Sequence, residues 1–213
     1  MPDFSFEQEL VRELGNNNAK LRIIGVDEVG RGPWAGPVVA AAAWLDQETL
    51  PQDLANRLDD SKKLSKRARE EIFDRIHELA SSGKAIVALG RAEVEEIDSL
   101  NILGASLLAM SRAVEQLPFV PHGALVDGNK LPDLPCPARS VIKGDGRSLS
   151  IAAASIVAKV TRDRHMAELA LNHPGYGWER NQGYGTAEHR AGIARLGITA
   201  AHRRSFRPIR EAE

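Results

Sequence analysis

The sequence contains almost no cysteine: Cys136 is the only one among 213 residues. A single thiol can form neither an intramolecular disulfide nor a cysteine-rich zinc site, so both are excluded as supports of the fold. A chain without a disulfide framework is typical of a reducing compartment, and we therefore expect a cytoplasmic protein. Cys136 also lies between two prolines with no neighbouring base, which argues against a cysteine nucleophile.

Long hydrophobic runs are absent as well. The longest apolar stretch, residues 37–45, is far shorter than the ~20 residues that a membrane-spanning helix requires. The first residues include Asp3, Glu7 and Glu9, and they contain no apolar segment of the kind that directs export. We therefore expect no membrane partner.

Neither sign of charge is in excess, because the formal net charge is only −1. This balance argues weakly against a nucleic-acid-binding protein, but the distribution of charge along the chain matters more than the sum. Residues 189–210 contain six arginines and no acid, and residues 139–164 contain six cations against two acids. A solvated basic face and a phosphate-binding surface both remain open as interpretations.

The motifs of several enzyme classes are missing, including G-x-S-x-G and H-E-x-x-H. The letters GRGPWA at 30–35 match a dinucleotide fingerprint, but Pro37 and Val38 predict a strand where that fingerprint requires a helix. Residues 25–31 also resemble a phosphate-binding loop, yet Gly32 stands where Ser or Thr should hold magnesium. Nucleotide binding is therefore not favoured.

The apolar content of 43% indicates a globular chain, and its length suits one domain. Short apolar runs bounded by Gly, Pro or Asp predict strands at 21–29, 37–45, 84–90, 123–127 and 138–142. Helical spacing of apolar residues or a run of alanines predicts helices at 68–79, 93–116, 149–171 and 186–196. The first two strands should be antiparallel, because only GRGPWAG separates them, and the later strands should be joined by parallel crossovers. We expect an α/β fold with a mixed five-stranded sheet, a core at about residues 20–171 and a C-terminal segment at 172–213.

Acidic residues follow several of the predicted strands. Asp27 and Glu28 end the first buried strand, Asp127 ends another, and Asp145 lies between a strand and a long helix. Because functional groups of α/β sheets gather at the carboxyl ends of strands, these acids could converge. Each aspartate taken alone also fits a turn or a helix cap, and Asp145, flanked by glycines, is the most open to that interpretation.

Carboxylates without cysteine form a hard, all-oxygen site that suits Mg²⁺ or Mn²⁺. Two such ions about 4 Å apart can activate a water and stabilise the leaving oxygen in a displacement at phosphorus. The basic segments would then hold the phosphate backbone nearby. Adjacent residues of a regular strand point to opposite faces, so we expect a bulge at Glu28 and Val29, or metal contact through only part of the Asp27–Glu28 pair. His189 is a candidate for a phosphate contact or a supporting contact.

Several long motifs in the same order resemble bacterial ribonuclease HII. They are GVDEVGRGPWAGPVVAAA at 25–42, DSKKLS at 60–65, VDGNKLP at 126–132, KGDGRSLSIAAASIVAKVTRDR at 143–164, NQGYGT at 181–186 and HRRSFRPI at 202–209. The resemblance covers nearly all of residues 21–209. It implies a ribonuclease H-like fold and metal-dependent cleavage on the 5′ side of a ribonucleotide. The implied substrates are RNA–DNA hybrids and single ribonucleotides embedded in duplex DNA.

The resemblance also implies roles for particular residues. Asp27, Glu28 and Asp127 match the metal ligands, which hold Mn²⁺ or Mg²⁺, and Asp145 matches a fourth catalytic acid. Gly30, Arg31 and Gly32 match the segment that senses the ribose 2′-hydroxyl, while Lys62 and Lys143 are placed among the substrate-binding residues. Tyr184 matches an aromatic that packs on the following deoxyribose; without the resemblance, a buried aromatic closing the C-terminal segment would be the better interpretation. We expect a monomer.

Two departures from the family pattern affect these expectations. Gln182 replaces a usual lysine, which puts one phosphate contact in doubt, and Trp34 replaces a usual leucine. About twenty residues precede the first predicted strand, so the ribonuclease HIII subtype, which carries an extra N-terminal domain, is not expected. Two other functions remain open: a noncatalytic duplex-binding protein whose acids hold structural cations, and a metal-dependent DNase of the same fold.

Overall fold

The computed structural model describes residues 1–15 and 21–212. Its centre is one five-stranded sheet with the order β3-β2-β1-β4-β5. The strands are β1 Ile23–Val29, β2 Val38–Leu45, β3 Ala85–Ala92, β4 Gly123–Asp127 and β5 Ala138–Val141. All five predicted strands are confirmed, and so is the mixed α/β sheet.

The strand directions follow the expected pattern with two exceptions. β1 pairs antiparallel with β2 and parallel with β4, which in turn pairs parallel with β5. β3 pairs antiparallel with β2, with Leu45 opposite Ala85. The segment between β2 and β3 therefore leaves and re-enters the sheet at the same end, so it is not the parallel crossover that helical spacing suggested. The connection from β4 to β5 contains no helix.

Eight α-helices surround the sheet in the described ranges. They are α1 Ser5–Glu13, α2 Gln52–Ala55, α3 Lys66–Ser81, α4 Val94–Glu115, α5 Leu149–Asn172, α6 Trp178–Asn181, α7 Ala187–Leu196 and α8 Arg207–Arg210. The four predicted helices correspond to α3, α4, α5 and α7, whereas α1 and the three single-turn helices were not anticipated. No helix in residues 1–15 or 21–212 has the length and apolar character needed to cross a bilayer.

Alternation along β2 divides the core into two layers. Ala40 and Ala42 belong to a cluster on the α4 side of the sheet, and Ala41 and Ala43 belong to a cluster with α3 and α5. Successive strand residues point to opposite faces, so a run of small apolar residues serves both layers. The run of small apolar residues in β2 is therefore buried on both faces of the sheet.

Helix α5 lies directly under β1. Ser148 caps its N-terminus by accepting a hydrogen bond from the Ile151 N–H. A Cβ atom on Gly25 would lie 2.2 Å from the Ile151 nitrogen, so only glycine allows this approach of helix to strand. The contact fixes α5 beneath the end of β1, where Asp27 and Glu28 lie.

The C-terminal segment packs beside the loop that joins β1 to β2. A third apolar cluster unites Ala35 of that loop with Met166 of α5 and with Trp178, Ile193 and Ile209 of the C-terminal segment. Ala35 also bridges His202 in an isolated antiparallel β-bridge. The segment after residue 172 therefore supports the β1–β2 loop.

Candidate active site

A cleft of about 420 Å³ lies at the carboxyl ends of β1 and β4. Most of the residues singled out from the sequence line it. They are Asp27, Glu28, Gly30, Arg31, Gly32, Lys62, Asp127 and Tyr184. The sheet topology explains the convergence, because β1 and β4 are parallel neighbours whose last residues meet at one edge.

Asp27 and Glu28 lie within the last residues of a regular strand, β1. Their register with β2 is unbroken, with Asp27 opposite Ala41 and Glu28 opposite Ala40. The predicted bulge at Glu28 and Val29 is therefore wrong. The long Glu28 side chain reaches the loop instead, where Arg31 Nη1 donates to its Oε1 over 3.2 Å, so no bend of the backbone is needed.

Backbone N–H groups orient two of the aspartates. Asp27, only 5% exposed, accepts a hydrogen bond at Oδ1 from the Glu28 N–H over 2.8 Å. Asp127 accepts one at Oδ1 from the Gly144 N–H over 2.6 Å. The second bond ties the end of β4 to the 3₁₀ turn Gly144–Gly146, which carries the fourth acid, Asp145.

Asp145 is buried beside the cleft and has a weak cationic neighbour. Lys62 Nζ lies 3.9 Å from its Oδ2, and the Lys62 side chain is largely exposed. Lys143, in contrast, is exposed on the turn before Asp145 and is not among the residues that line the cleft. Of the two lysines singled out from the sequence, Lys62 is therefore the one beside the acids.

The negative charge of the cleft is only partly compensated by its cations. Burial raises the pKa of Asp27 well above its usual value, and the charges of Glu28 and Asp127 raise it further. Burial also raises the pKa of Glu28, although Arg31 opposes that rise, and burial followed by the charge of Asp127 raises the pKa of Asp145. The acids therefore repel each other in a poorly solvated site.

These carboxylates suit a hard divalent cation by donor type and by charge. Within residues 1–15 and 21–212, however, no group of three or more His, Cys, Asp and Glu side chains is close enough to hold a metal ion. Asp27, Glu28 and Asp127 nevertheless line one cleft. By donor type and charge, this set of carboxylates fits Mg²⁺ or Mn²⁺.

Two further cations reach the cleft but are already engaged. Arg69 donates from Nη1 to the Ser61 and Leu64 carbonyls, and Lys159 donates to Asp163 Oδ1 over 2.6 Å. Burial lowers the pKa of Lys159, while Asp163 opposes the effect. Sequence analysis did not single out either residue. Lys159 and Asp163 are four residues apart on α5, a spacing that predicts an ion pair within one helix.

Tyr184 lies at the mouth of the cleft and is 46% exposed. A Cβ atom on Gly32 would lie 3.3 Å from the Tyr184 ring, so ring and loop are neighbours. The alternative of a buried aromatic closing the C-terminal segment is therefore wrong. His189 supports this residue from below, since its Nδ1 lies 3.0 Å from the Tyr184 carbonyl oxygen.

The basic segments divide into exposed and buried parts, which the sequence did not reveal. Arg139 pairs with Glu9 and Glu13 of α1, and Arg162 and Arg203 are fully buried against backbone carbonyls. The expectation that these segments as a whole hold a phosphate backbone is therefore wrong for the buried Arg162 and Arg203, whereas Arg139 remains partly exposed. His189 is also fully buried, which excludes a phosphate contact and leaves the supporting contact to Tyr184.

Arg162 and Arg203 are the main residues that sequence analysis missed. One signal existed for Arg162: it lies four residues from both Ala158 and Met166, so helical periodicity places it on the buried face of α5. Only the tertiary structure identifies what fills the space around it. No such periodicity points to Arg203, which lies in an irregular stretch.

Comparison with known proteins gives one consistent result. A family model described as Ribonuclease HII matches residues 24–209. The Ribonuclease HII of Paramagnetospirillum magneticum is 59% identical over 209 residues, which are 98% of this chain and 97% of that protein.

Solved structures give the same fold. The crystal structure of the ribonuclease H2 from Pyrococcus horikoshii OT3 has a TM-score of 0.74 at 24% identity and covers 91% of this chain and 97% of its own. The crystal structure of Bst-RNase HIII in complex with Mn²⁺ has a TM-score of 0.69 at 20% identity and covers 97% and 79%. At these identities the likeness establishes the ribonuclease H-like fold.

Proposed function

The chain belongs to the ribonuclease HII family, and from that premise we propose that it hydrolyses the phosphodiester on the 5′ side of a ribonucleotide. The products would carry a 3′-hydroxyl and a 5′-phosphate. Its substrates would be RNA–DNA hybrids and duplex DNA with single embedded ribonucleotides. The observation that carries the proposal is the cleft in which buried, mutually repelling carboxylates lie beside the GRG loop and Tyr184.

In this proposal the acids have separate roles. Asp27, Glu28 and Asp127 hold the divalent ions, Mn²⁺ or Mg²⁺, and Asp145 is the fourth catalytic acid. Two such ions, when bound, supply an activated water and stabilise the leaving oxygen of the displacement. The hydrogen bonds from the Glu28 and Gly144 N–H groups keep Asp27 and Asp127 oriented. The raised pKa of Asp145 suits a group that exchanges a proton during the reaction.

Recognition of the substrate would combine ribose contact and phosphate contact. The backbone of Gly30, Arg31 and Gly32 approaches the 2′-hydroxyl, which is the group that distinguishes RNA from DNA. Lys62, beside the acids, and Lys143, on the exposed turn, bind phosphates of the duplex. The exposed face of Tyr184 packs on the deoxyribose that follows the ribonucleotide, where a second 2′-hydroxyl would fit less well.

We further propose how the chain is organised. Residues 1–213 form a single domain, with the catalytic core at about 20–171 and a substrate-contacting segment at 172–213. The protein acts as a monomer in the cytoplasm. The packing of the C-terminal segment against the β1–β2 loop and the near absence of cysteine support this organisation.

A duplex DNA with one embedded ribonucleotide tests the proposal. With Mn²⁺ or Mg²⁺ we expect one cut 5′ to the ribonucleotide, no cut in an all-DNA duplex of the same sequence, and loss of cutting in Asp27→Asn. Tight, salt-dependent binding without turnover would instead indicate a noncatalytic duplex-binding protein. Cutting of the all-DNA duplex would indicate a DNase.

A further inference from the structure

Two arginines lie fully buried behind the β1–β2 loop without an acidic partner. Arg162 comes from α5 and Arg203 from the stretch before α8, and each is 0% exposed. In the described part of the chain neither forms a salt bridge with a carboxylate. Burial lowers the pKa of Arg162 to about 10 and that of Arg203 to about 9, so both guanidinium groups remain charged at neutral pH. A buried charge of this kind must be satisfied by hydrogen bonds, because isolated burial is costly.

Backbone carbonyls of the loop provide those hydrogen bonds. A guanidinium has five N–H donors. Arg203 uses all of them: its Nε donates to Gly36, its Nη1 to Arg31 and Pro33, and its Nη2 to Gly30 and Pro37. Arg162 donates to Pro37, Ala35 and Gln182. The two side chains therefore hold most of residues 30–37 from behind, and Arg162 also ties in the segment that leads to Tyr184.

Because peptide units are planar, these contacts also determine where the N–H groups on the cleft side of the loop point. In a trans peptide the C=O and the following N–H point in opposite directions. The described chain has no cis peptide bonds. Because the Gly30 and Arg31 carbonyls point toward Arg203, the N–H groups of Arg31 and Gly32 point away from it. Within the described residues, neither of these two N–H groups donates to an acceptor.

The two glycines of the loop face opposite partners. A Cβ atom on Gly30 would lie 2.2 Å from Arg162 Nε, and Gly30 has a φ of +97°. A Cβ atom on Gly32 would instead meet the ring of Tyr184 at 3.3 Å. Gly30 therefore makes room for the arginine behind the loop, whereas Gly32 lies on the side of the cleft.

We propose that Arg162 and Arg203 are positioning residues that set the preference for ribose by orienting the N–H groups of Arg31 and Gly32 toward the substrate. The inference rests on the proposed function, because it needs a substrate with a 2′-hydroxyl at this loop. Hydrogen bonds to a hydroxyl discriminate only when the donors are held in place before binding. A lysine at either position keeps the positive charge, but its single ammonium group cannot reach several carbonyls in one plane.

The test measures binding preference rather than activity. Every protein carries Asp27→Asn to prevent cutting, and dissociation constants are measured by fluorescence anisotropy for a duplex with one ribonucleotide and for the all-DNA duplex. With Arg203 and Arg162 intact we expect the ribonucleotide duplex to bind at least about tenfold more tightly. In Arg203→Lys and Arg162→Lys this ratio should fall to within about twofold of unity, while all-DNA affinity, set by phosphate contacts, changes little.

The controls separate positioning from a loss of folding. Arg164→Lys, on the exposed side of the same helix, should keep the ratio of its parent. Arg203→Ala should regain the binding preference for the ribonucleotide duplex when guanidinium ion is added at millimolar concentration. Thermal unfolding identifies variants that do not fold. If Arg203→Lys does not fold, the test relies on Arg162→Lys, which keeps all the Arg203 contacts. The same ratio of dissociation constants then decides whether the arginines position the loop.

The outcomes also distinguish this inference from the proposed function. A folded lysine variant that keeps the full preference overturns the positioning role and leaves the proposed function intact. No preference with both arginines present would instead contradict ribose recognition itself.

Discussion

The molecule contains two buried groups of charge that differ in how they are satisfied. Three acids of the cleft, Asp27, Glu28 and Asp145, repel neighbouring carboxylates, and burial raises the pKa of each. The arginines behind the β1–β2 loop are buried more completely, yet Arg203 has a backbone carbonyl for each of its N–H groups. The charges of opposite sign do not pair with each other across the loop.

The difference separates a structural charge from a functional one. Fixed carbonyl dipoles replace water around Arg203, so its charge is compensated in the protein alone. Asp27 and Asp127 each receive one backbone N–H bond, which does not compensate a carboxylate next to other carboxylates. Binding of a cation at the acids is therefore favourable, because it relieves a repulsion that the protein alone does not compensate. This kind of local conflict is what a functional site shows.

The largest expected effect is on catalysis. Asp27→Asn removes a carboxylate from the centre of the repelling set, and we expect kcat/KM for a single-ribonucleotide duplex to fall by at least ~10⁴-fold, or ~5 kcal/mol. Steady-state cleavage assays measure this. Asp133→Asn, an exposed residue on the loop that follows Asp127, is the matched control and should retain full activity. A modest loss in Asp27→Asn would show that the acids are not the catalytic group.

The next effect concerns stability, and the two groups of charge should respond with opposite signs. Arg203→Met leaves five carbonyl contacts unsatisfied, so we expect the free energy of unfolding to fall by about 3–5 kcal/mol. Denaturant unfolding measures this loss. Arg207→Met, an exposed residue that pairs with Glu211, should change stability by less than about 1 kcal/mol.

Asp27→Asn should instead stabilise the metal-free protein. Asp27 has a folded-state pKa above its unfolded value, so the folded state holds that proton more tightly and its stabilising effect is lost as pH rises through the folded pKa. Above the usual pKa of an aspartate, about 3.9, the carboxyl of Asp27 therefore destabilises the fold. We expect Asp27→Asn to raise Tm in EDTA and to reduce the decline of stability as pH rises above that value. Equal pH profiles for both proteins would contradict this account of the acids.

A divalent cation should relieve the same repulsion. With Mg²⁺ or Mn²⁺ at about 100 times its Kd, a cation that binds only the folded state stabilises it by ~2.7 kcal/mol. For a chain of this size that is a rise in Tm on the order of 5–10 °C, which calorimetry with and without EDTA can measure. Asp27→Asn should lose most of this rise, whereas Arg207→Met should keep it. A rise of the same size in Asp27→Asn would place the cation elsewhere.

Substitution of the two loop glycines tests whether the loop has two different faces. Gly30→Ala places a Cβ against Arg162 at a positive φ, so we expect a loss of about 1–3 kcal/mol of stability. Gly32→Ala meets only the exposed Tyr184 ring, so we expect less than about 1 kcal/mol of lost stability and a weakened preference for ribose. Thermal unfolding together with duplex binding distinguishes the two. Similar stability losses in both variants would contradict the assignment of faces.

Most of the fold was predictable because the five strands and four of the helices carry local signals. The alanine run of β2 and the periodic residues of α3 and α4 give strands and helices that the structure confirms. The clustering of Asp27, Glu28 and Asp127 followed from their positions at the ends of strands. Alternation predicted either a bulge at Glu28 and Val29 or metal contact through part of the Asp27–Glu28 pair, and the unbroken register excludes the bulge.

The arginines behind the loop could not be predicted in the same way. Arg162 and Arg203 are 41 positions apart in the chain, and their shared target is a set of carbonyls, which every residue possesses. Residue types do not reveal such contacts, so sequence analysis considered only a solvated basic face or a phosphate-binding surface for these cations. Helix α1 was also missed, although its apolar residues Phe6 and Leu10 lie at helical spacing and pack with Ile23 and Leu125 of β1 and β4.

The smallest expected effect separates the two lysines that were assigned to the substrate. Although burial lowers the pKa of Lys62, the charges of Asp27 and Asp145 raise it overall, so Lys62 partly compensates the acids. Lys62→Ala and Lys143→Ala should each remove about one phosphate contact and reduce the slope of log Kd against log salt by about 1. Without substrate, however, Lys62→Ala should bind Mn²⁺ a few-fold more tightly, since it removes a cation that competes at the exposed side of the acids. Lys143→Ala should leave Mn²⁺ affinity unchanged, as isothermal titration calorimetry would show. Equal Mn²⁺ affinities in both variants would mean that Lys62 serves the duplex alone and that the repulsion among the acids is relieved only by the metal.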